Sequence, residues 1–312
     1  TCILIISGLL LGFSFLMIHE KKLDIRHEYT TTYTKYSDKP KATLLSQNII
    51  YEQHDKRMSV KSQLKVQNPT EQTLNEIILY LNPELEVIAL QENGKNILFD
   101  RENQVIRLHR AISSGDTVNI DIDYEGKPDE NICYLDISDD IIFDTKTRGH
   151  MTCYFEKKYA FLEKDFTLLT PEILWYPVTT PPINPENPYN IDKNFSYYTL
   201  QVASSPGKSV ISQGEKEIQN GKVLFYNSNP LTGITLCIGE YETASIYVDS
   251  VYCELYLFKR HSSLIDLLEC KDDNLFLSMK RKIESSMQLQ YPYRKLVITE
   301  SPISFTSYYR NN

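Results

Sequence analysis

The chain has 312 residues, and 33 Lys and Arg against 41 Asp and Glu give it a formal net charge of −8. This acidic balance argues against a nucleic-acid-binding protein, which needs a basic surface to displace phosphate counterions. A hydrophobic share of 41% with 24% charged residues excludes a disordered chain. The length predicts two domains, and the start at Thr1 rather than at methionine predicts a segment of a longer protein.

The first predicted element is an apolar run from Cys2 to Ile18 without a charged residue. A helix of this length spans roughly 25 Å, close to a bilayer core, so we predict a transmembrane helix over residues 1–18 with the lipid bilayer as partner of residues 2–18. A secretory signal peptide is the alternative, but the following residues offer no small-residue cleavage site. A buried core helix is disfavoured because the run is apolar on all sides. We expect a membrane-anchored protein whose remaining chain is extracytoplasmic, although Lys21, Lys22 and Arg26 would favour the cytoplasmic side.

Beyond this run, apolar residues alternate with period two, which is typical of half-buried strands. The clearest case is the face formed by Val118, Ile120, Ile122 and Tyr124. Similar faces come from Met58, Val60, Leu64 and Val66 and from Ile77, Leu79 and Leu81, and Asn93-Gly94 predicts a turn. Strands at such intervals favour an antiparallel β-sandwich over βαβ units.

The middle of the chain continues the β pattern around a proline-rich loop. Residues 129–168 predict a hairpin plus a loop. The five prolines in residues 177–188, directly after Trp175-Tyr176, exclude helix and central strand and predict a rigid extended loop. Alternation resumes at 195–202, 222–226 and 234–238, with a turn at Asn220-Gly221.

Near residue 245 the pattern changes from all-β to strand–helix–strand, which predicts a domain boundary. A strand over Val251–Phe258 precedes helix N-cap candidates at Ser262 or Ser263 and at Asp272 or Asp273. The three- and four-residue spacing predicts an amphipathic helix over 274–289, followed by a short strand over 296–298. Two strands cannot cover the whole apolar stripe of this helix, so we expect part of the stripe to be exposed: Phe276, Met279, Ile283 and Met287.

No catalytic or metal-ligating residue is predicted, and the substrate-binding residues stay unknown. No two of the six histidines have the spacing of a zinc-binding HExxH helix, and the sequence lacks hydrolase and nucleotide-binding glycine motifs. His109 is interpreted as a surface or packed histidine, and the pairs Asp139-Asp140 and Asp272-Asp273 as solvated turns or caps. We therefore predict no cofactor in this segment.

The cysteines leave the redox compartment open. No pair has CxxC spacing, which excludes a zinc ribbon and a thioredoxin motif. Buried free thiols are the favoured interpretation. A disulfide between Cys237 and Cys253 is the alternative, since both lie on predicted neighbouring strands.

Several short motifs in this order resemble the aminopeptidase N family of zinc metallopeptidases. They are Val66-Gln67-Asn68-Pro69-Thr70, Tyr124-Glu125-Gly126, Trp175-Tyr176-Pro177, Val210-Ile211-Ser212-Gln213-Gly214, Ile238-Gly239-Glu240-Tyr241, Gln290-Tyr291-Pro292-Tyr293-Arg294-Lys295-Leu296 and Ile298-Thr299-Glu300-Ser301-Pro302. The resemblance covers residues 45–312. Together with the apolar run it is similar to membrane-anchored bacterial relatives, some of which are fused to a transporter permease.

The resemblance implies a mainly β chain in which residues 19–245 form a saddle-like N-terminal β domain and residues 246–312 begin a truncated thermolysin-like catalytic domain. The family's zinc ligands and peptide-binding loop would follow Asn312, so zinc and the peptide substrate are expected in the parent protein only. Family members carry a substrate-contacting glutamine at the position of Thr170. This departure puts recognition of the peptide amine in doubt.

Two functions are therefore expected. The first is the non-catalytic N-terminal part of a membrane-anchored zinc aminopeptidase-like protein, which scaffolds the peptide-binding cleft. The alternative is a non-catalytic ectodomain of a transporter permease that binds peptide or a protein partner. A generic surface adhesin is disfavoured because it leaves the strand–helix–strand segment unexplained.

Overall fold

The computed structural model describes residues 2–135, 158–185, 192–203, 206–249, 251–263 and 274–305, with side chains from residue 6 in the first range and from residue 277 in the last. Helix α1 is Cys2–Ser37, helix α2 is Asn274–Met287, and short 3₁₀ turns lie at Glu130–Tyr134, Pro171–Ile173 and Lys259–His261. The strands are β1 (Thr43–His54), β2 (Arg57–Gln67), β3 (Ile77–Tyr80), β4 (Leu85–Glu92), β5 (Lys95–Asn96), β6 (Phe99–Glu102), β7 (Val105–Leu108), β8 (Thr117–Gly126), β9 (Phe161–Leu162), β10 (Thr167–Leu169), β11 (Tyr197–Ala203), β12 (Ser209–Ile211), β13 (Glu215–Gln219), β14 (Lys222–Tyr226), β15 (Leu236–Gly239), β16 (Tyr241–Val248), β17 (Val251–Phe258) and β18 (Lys295–Thr299).

The largest sheet has eight strands in the order β13-β14-β11-β1-β2-β8-β4-β5. Its inner side chains pack in one core with those of two smaller sheets, β3-β7-β6 and β12-β15-β10-β9. The prediction of a mainly β, sandwich-like chain is confirmed in this respect. The sheet is not wholly antiparallel, because β1 and β11 run parallel, with Ser46 opposite Tyr197.

The predicted alternation positions the core residues of β8 correctly. Val118, Ile120, Ile122 and Tyr124 are all buried, as are their counterparts on β2. The predicted turns are also confirmed. Asn93 and Gly94 have φ of 52° and 75°, and Asn220 and Gly221 have φ of 51° and 73°. Each pair closes a two-residue hairpin that needs the left-handed region at both positions.

The prediction of a transmembrane helix over residues 1–18 is wrong. Helix α1 continues through the charged residues after Ile18 to Ser37. Among the residues that the structure describes, we find no helix with the length and apolar character needed to cross a bilayer. The predicted bilayer contact of residues 2–18 is therefore unsupported, and the predicted membrane-anchored, extracytoplasmic location is wrong.

The second half of α1 packs on the β domain, which sequence reasoning missed because it ended the element at the first charges. Tyr29, Tyr33 and Tyr36 recur on one helix face and are buried. The Tyr29 hydroxyl donates to Asp129 Oδ2 over 2.9 Å, and the Tyr36 hydroxyl donates to Glu102 Oε2 over 2.8 Å. These contacts hold residues 29–36 against the sheets.

The middle of the chain agrees with its prediction where it is described. Strands β9 and β10 form the hairpin, with Thr167 opposite Leu162. Residues 177–185 form neither helix nor strand apart from a bridge between Val178 and Tyr80, which fits the proline-rich loop. The rest of both predictions, residues 136–157 and 186–188, lies outside the described residues.

The last part of the chain forms a separate sheet with the order β16-β17-β18. Strands β17 and β18 run parallel, with Cys253 opposite Leu296, and α2 lies between them in the chain. The boundary predicted near 245 falls within β16. The N-cap prediction at Asp272 or Asp273 lies outside the described residues, and Ser262 follows the 3₁₀ turn at Lys259–His261.

Helix α2 presents an apolar stripe to solvent, as expected. Met279, Ile283 and Met287 are 52%, 55% and 61% exposed. The opposite side of the helix covers the sheet through Leu277, which packs against the buried cluster of Val248, Val251 and Cys253. The side chain of Phe276 lies outside the described residues. The prediction of partial exposure is confirmed for the three described members of the stripe.

Candidate functional site

The loop that follows β10, residues 170–179, carries the position that the family resemblance associates with substrate; we call it the tryptophan loop. Thr170 is extended and precedes the 3₁₀ turn at Pro171–Ile173. Leu174 ends the turn in the left-handed region, with φ of 54°, and its N–H donates to the Pro171 carbonyl over 2.9 Å. This reversal sends the following aromatic pair into the core.

The aromatic pair of the tryptophan loop is fully buried. Trp175 contacts Tyr51 edge-on at 6.0 Å between ring centroids and Tyr176 at 4.7 Å. The Tyr176 hydroxyl accepts the Ile234 N–H over 2.9 Å. A Cβ on Gly233 would lie 2.8 Å from that hydroxyl, so the close approach requires glycine. The loop is therefore a packed part of the β domain rather than a surface flap.

Asn82, which sequence reasoning missed, connects the tryptophan loop to the 3₁₀ turn at Glu130–Tyr134. Its Nδ2 donates to the carbonyl oxygens of Ile173, over 2.7 Å, and Asp129, over 2.9 Å. Its Oδ1 accepts the Asp129 N–H, and its own N–H donates to the Leu174 carbonyl. A fully buried amide with this many partners holds the backbone of both segments in register.

Thr170 does not face an open surface. Its side chain is buried, and its hydroxyl lies 3.5 Å from the Tyr159 carbonyl oxygen, to which it donates. The Tyr159 N–H donates in turn to the carboxylate of Glu130. Burial raises the pKa of the Glu130 carboxyl, and the hydrogen bond from the Tyr159 N–H and the charge of Lys158 oppose this rise. The position that the resemblance assigns to a substrate-contacting glutamine is thus occupied by a threonine turned towards its own chain.

The segment after β18 approaches this same region. The Lys158 N–H donates to the Ser304 carbonyl over 2.7 Å, and Lys158 forms a parallel bridge with Phe305. Lys158 directly precedes Tyr159, which contacts both Glu130 and Thr170. The structure therefore places the end of the described chain beside the tryptophan loop.

In the part of the chain that the structure describes, the titratable groups form no recognisable catalytic centre. Within the described ranges, no cluster of three or more His, Cys, Asp or Glu is arranged to hold a metal ion. His109 is half exposed and lies 3.0 Å from Asp100, as a surface histidine should. His150 and the pair Asp139-Asp140 lie outside the described residues.

Cys237 and Cys253 are buried free thiols, so the alternative of a disulfide between them is wrong. Cys133 is buried as well. Burial raises the pKa of the Cys237 thiol to about 11, against the lowering effect of its contact with Tyr241. A thiol of this kind is unreactive and serves packing.

A shallow cleft of about 500 Å³ opens at the β4–β5 hairpin and shares no residue with the tryptophan loop. Arg110 and Glu92 line it, but they neutralise each other through two hydrogen bonds of 2.8 and 3.0 Å. Since its strongest charges are already paired, this cleft offers no evident catalytic group.

Comparison with known proteins supports the fold. No protein-family model and no curated protein matches the sequence. The structure is similar to an M1 zinc metallopeptidase from Deinococcus radiodurans, with a TM-score of 0.54 and 14% identity, covering 83% of this chain and 56% of that one. It is also similar to Legionella pneumophila aminopeptidase A in complex with aspartic acid, with a TM-score of 0.59 and 12% identity, covering 84% of this chain and 29% of that one.

At this identity the likeness shows a shared fold and no more. The chain has the fold of part of these zinc metallopeptidases, in line with the family resemblance of its motifs. It spans little more than half the length of the Deinococcus protein and less than a third of the Legionella protein. These likenesses lend no support to the predicted relation to a transporter permease or to a membrane.

Proposed function

We propose that this chain is the non-catalytic N-terminal part of a zinc aminopeptidase-like protein and that it scaffolds the peptide-binding cleft of a catalytic domain located downstream. Residues 19–245 would be the N-terminal β domain, and residues 246–312 would begin the catalytic domain. Zinc and peptide would bind in the downstream part. The metallopeptidase fold of the chain supports this proposal, as does the binding of L-arginine by one two-domain M1 metallopeptidase mutant of similar fold.

One observation carries the proposal: the unit formed by β16, β17, β18 and α2 leaves an apolar stripe uncovered. Met279, Ile283 and Met287 lie more than half exposed along one helix face, although the other face is packed. A contiguous apolar helix face is unusual on a finished surface and typical of an interface. The rest of a catalytic domain would supply the missing cover.

The tryptophan loop and residues 302–305 define the part of the β domain that would wall the cleft. They lie together through Lys158 and Tyr159, as described above. Because Thr170 is buried, this wall would contribute shape and backbone groups rather than the glutamine side chain of the family. Recognition of a peptide amine would then depend on groups of the catalytic domain.

The proposal is tested by the zinc content and peptidase activity of two purified proteins: this chain, and the natural protein that contains it. We expect about one zinc per molecule and cleavage of aminoacyl-coumarin amides by the natural protein, and neither by the chain alone. Stoichiometric zinc that stays with the chain after desalting would contradict the proposal. Absence of both zinc and cleavage from the natural protein would contradict it equally.

A further inference from the structure

Helix α1 has two parts with opposite surroundings. Residues 25–36, the docked part, pack on the β domain, with Ile25 against its core and Tyr29, Tyr33 and Tyr36 buried. Residues 6–18, the apolar part, are exposed on all sides, and their large apolar side chains are 56–72% exposed. One continuous helix of 36 residues, about 54 Å long, contains both parts.

The turn between β6 and β7 holds the docked part from one side. Gln104 Nε2 donates to the Tyr29 carbonyl over 2.8 Å, and Asn103 Nδ2 donates to the Thr32 hydroxyl over 2.9 Å. Gln104 is fully buried, and Asn103 has the left-handed backbone of a tight turn, with φ of 48°. Both amides therefore reach the helix from a fixed backbone.

A second, separate segment holds the start of the docked part: Asp129 and the 3₁₀ turn that follows it. The Tyr29 hydroxyl donates to Asp129, as described above. One turn earlier in α1, Arg26 Nε donates to Asn131 Oδ1 over 3.4 Å, and the guanidinium carbon lies 4.4 Å from the centre of the Tyr134 ring. The helix is thus held by two parts of the chain that are distant in sequence.

These contacts fix the direction of the helix axis as well as the position of one point on it. They extend from Arg26 to Tyr36, about 15 Å along the axis. Between Phe13 and Ser37 the sequence has no glycine or proline, the residues at which helices most often kink. A bend between the two parts would have to break backbone hydrogen bonds of the helix.

We propose that α1 is a rigid arm: its docked part fixes the direction in which its apolar part leaves the β domain. Residues 6–18 then lie about 10 to 28 Å beyond Ile25 along the axis. A displacement of residues 6–18 would rotate the β domain as a whole, because a continuous helix rather than a flexible linker joins the two. The arm does not depend on the proposed peptidase relationship.

The distance between spin labels at Phe15 and Ile88, measured by double electron–electron resonance, reports the arm directly. Both side chains are more than half exposed, one on the apolar part of α1 and the other on β4. The labels are attached to encoded ketone amino acids, so the native cysteines stay unaltered, and an excess of unlabelled chain removes distances between molecules. We expect a single narrow distribution of distances in the otherwise unaltered chain.

Glu20, which is exposed and lies between the two parts, is the position at which to break the arm. Glu20→Pro removes a helix hydrogen bond and places a ring against the preceding turn, so the distribution should shift and widen at least about twofold. Glu20→Ala is the matched control, because alanine continues the helix, and it should keep the distribution narrow.

The docking is tested by a double variant, Tyr29→Ala with Tyr36→Ala, which removes two buried contacts and should also widen the distribution. Glu28→Ala with Thr34→Ala is its control, since both residues are exposed on the same helix segment. A broad distribution in the otherwise unaltered chain would overturn the rigid arm. So would an unchanged distribution in Glu20→Pro or in a folded double tyrosine variant. If the double tyrosine variant does not fold, the comparison of Glu20→Pro with Glu20→Ala decides.

Discussion

The hydroxyl of Tyr124 donates a hydrogen bond to the backbone carbonyl of Trp175 over 3.1 Å, inside the core. Tyr124 lies near the end of β8 in the eight-stranded sheet, and Trp175 is the centre of the tryptophan loop. Two segments that are 51 residues apart in the chain are thereby held together. Burial raises the pKa of Tyr124 well above its ordinary value, so the phenol keeps its proton throughout the neutral range.

Replacing Tyr124 by Phe should lower the free energy of unfolding by about 1–3 kcal/mol, because the buried Trp175 carbonyl would lose its donor. Urea denaturation measures this change. Tyr247→Phe is the matched control, since Tyr247 is 69% exposed, and it should change the stability by less than about 0.5 kcal/mol. Equal effects of the two substitutions would show that the Tyr124 contact contributes nothing.

Ile120→Asp tests the facing of β8. Ile120 is buried in the sandwich core, so an aspartate there would bury an unpaired charge and should destabilise the chain by several kcal/mol, about 3 or more. Thermal unfolding measures the effect. Ile88→Asp in β4 is the control, because that side chain is 59% exposed. A melting temperature for Ile120→Asp within a degree or two of the unaltered chain would mean that the strand faces the other way.

Replacing the exposed stripe of α2 should reduce association without loss of stability. A triple variant combines Met279→Gln, Ile283→Gln and Met287→Gln and removes this exposed apolar surface. Glutamine and methionine have similar helix propensities, so the helix itself should persist. We expect weaker binding of an apolar dye and less self-association in sedimentation velocity. Leu277→Gln should instead lower the melting temperature, because Leu277 packs on the three-stranded sheet. The exposed apolar residues of α1 between Ile6 and Ile18 also bind dye and are unchanged in the variant, so the comparison is the difference between the two proteins. No decrease in dye binding by the triple variant would argue against an accessible apolar stripe on α2.

The Cys237 thiol should resist alkylation at pH 8 in the folded chain. Its pKa of about 11 keeps it protonated there, and its burial excludes the reagent. An unfolded cysteine releases its proton near pH 8.5. Between about 8.5 and 11 the folded state therefore holds one more proton than the unfolded state, and stability should fall as pH rises through that window. Peptide mapping after iodoacetamide treatment measures the labelling, and complete modification of Cys237 before unfolding would contradict this account.

The sequence predicted the strands best where one face is buried and the other is solvated. Val118 to Tyr124 is such a case, and so are the asparagine–glycine turns, because their φ requirements are local. Sequence reasoning failed where the outcome depends on distant parts of the chain. The extension of α1 to Ser37 and its packing through Tyr29 depend on partners such as Asp129, which no local pattern reveals.

The motif around Trp175 marked the loop that we propose as a wall of the cleft, and that role stays a prediction. The contact of Thr170 with Tyr159 could not be predicted, because Tyr159 is distant from any motif. Asn82 gave one weak signal, an amide two residues after the apolar strand at Ile77–Tyr80. Its four backbone partners on Asp129, Ile173 and Leu174 could only be seen in three dimensions.

Reconstitution from two pieces tests the central claim most directly. The chain and the remainder of its natural protein would be purified separately, and peptide hydrolysis would be measured for each piece and for their mixture. If the chain scaffolds a downstream catalytic domain, activity should appear in the mixture and not in either piece. The triple glutamine variant of the α2 stripe should weaken the association of the two pieces at least tenfold, about 1.4 kcal/mol. Full activity of the remainder alone would contradict the scaffold function. An inactive mixture would also contradict it, provided that the intact natural protein is active.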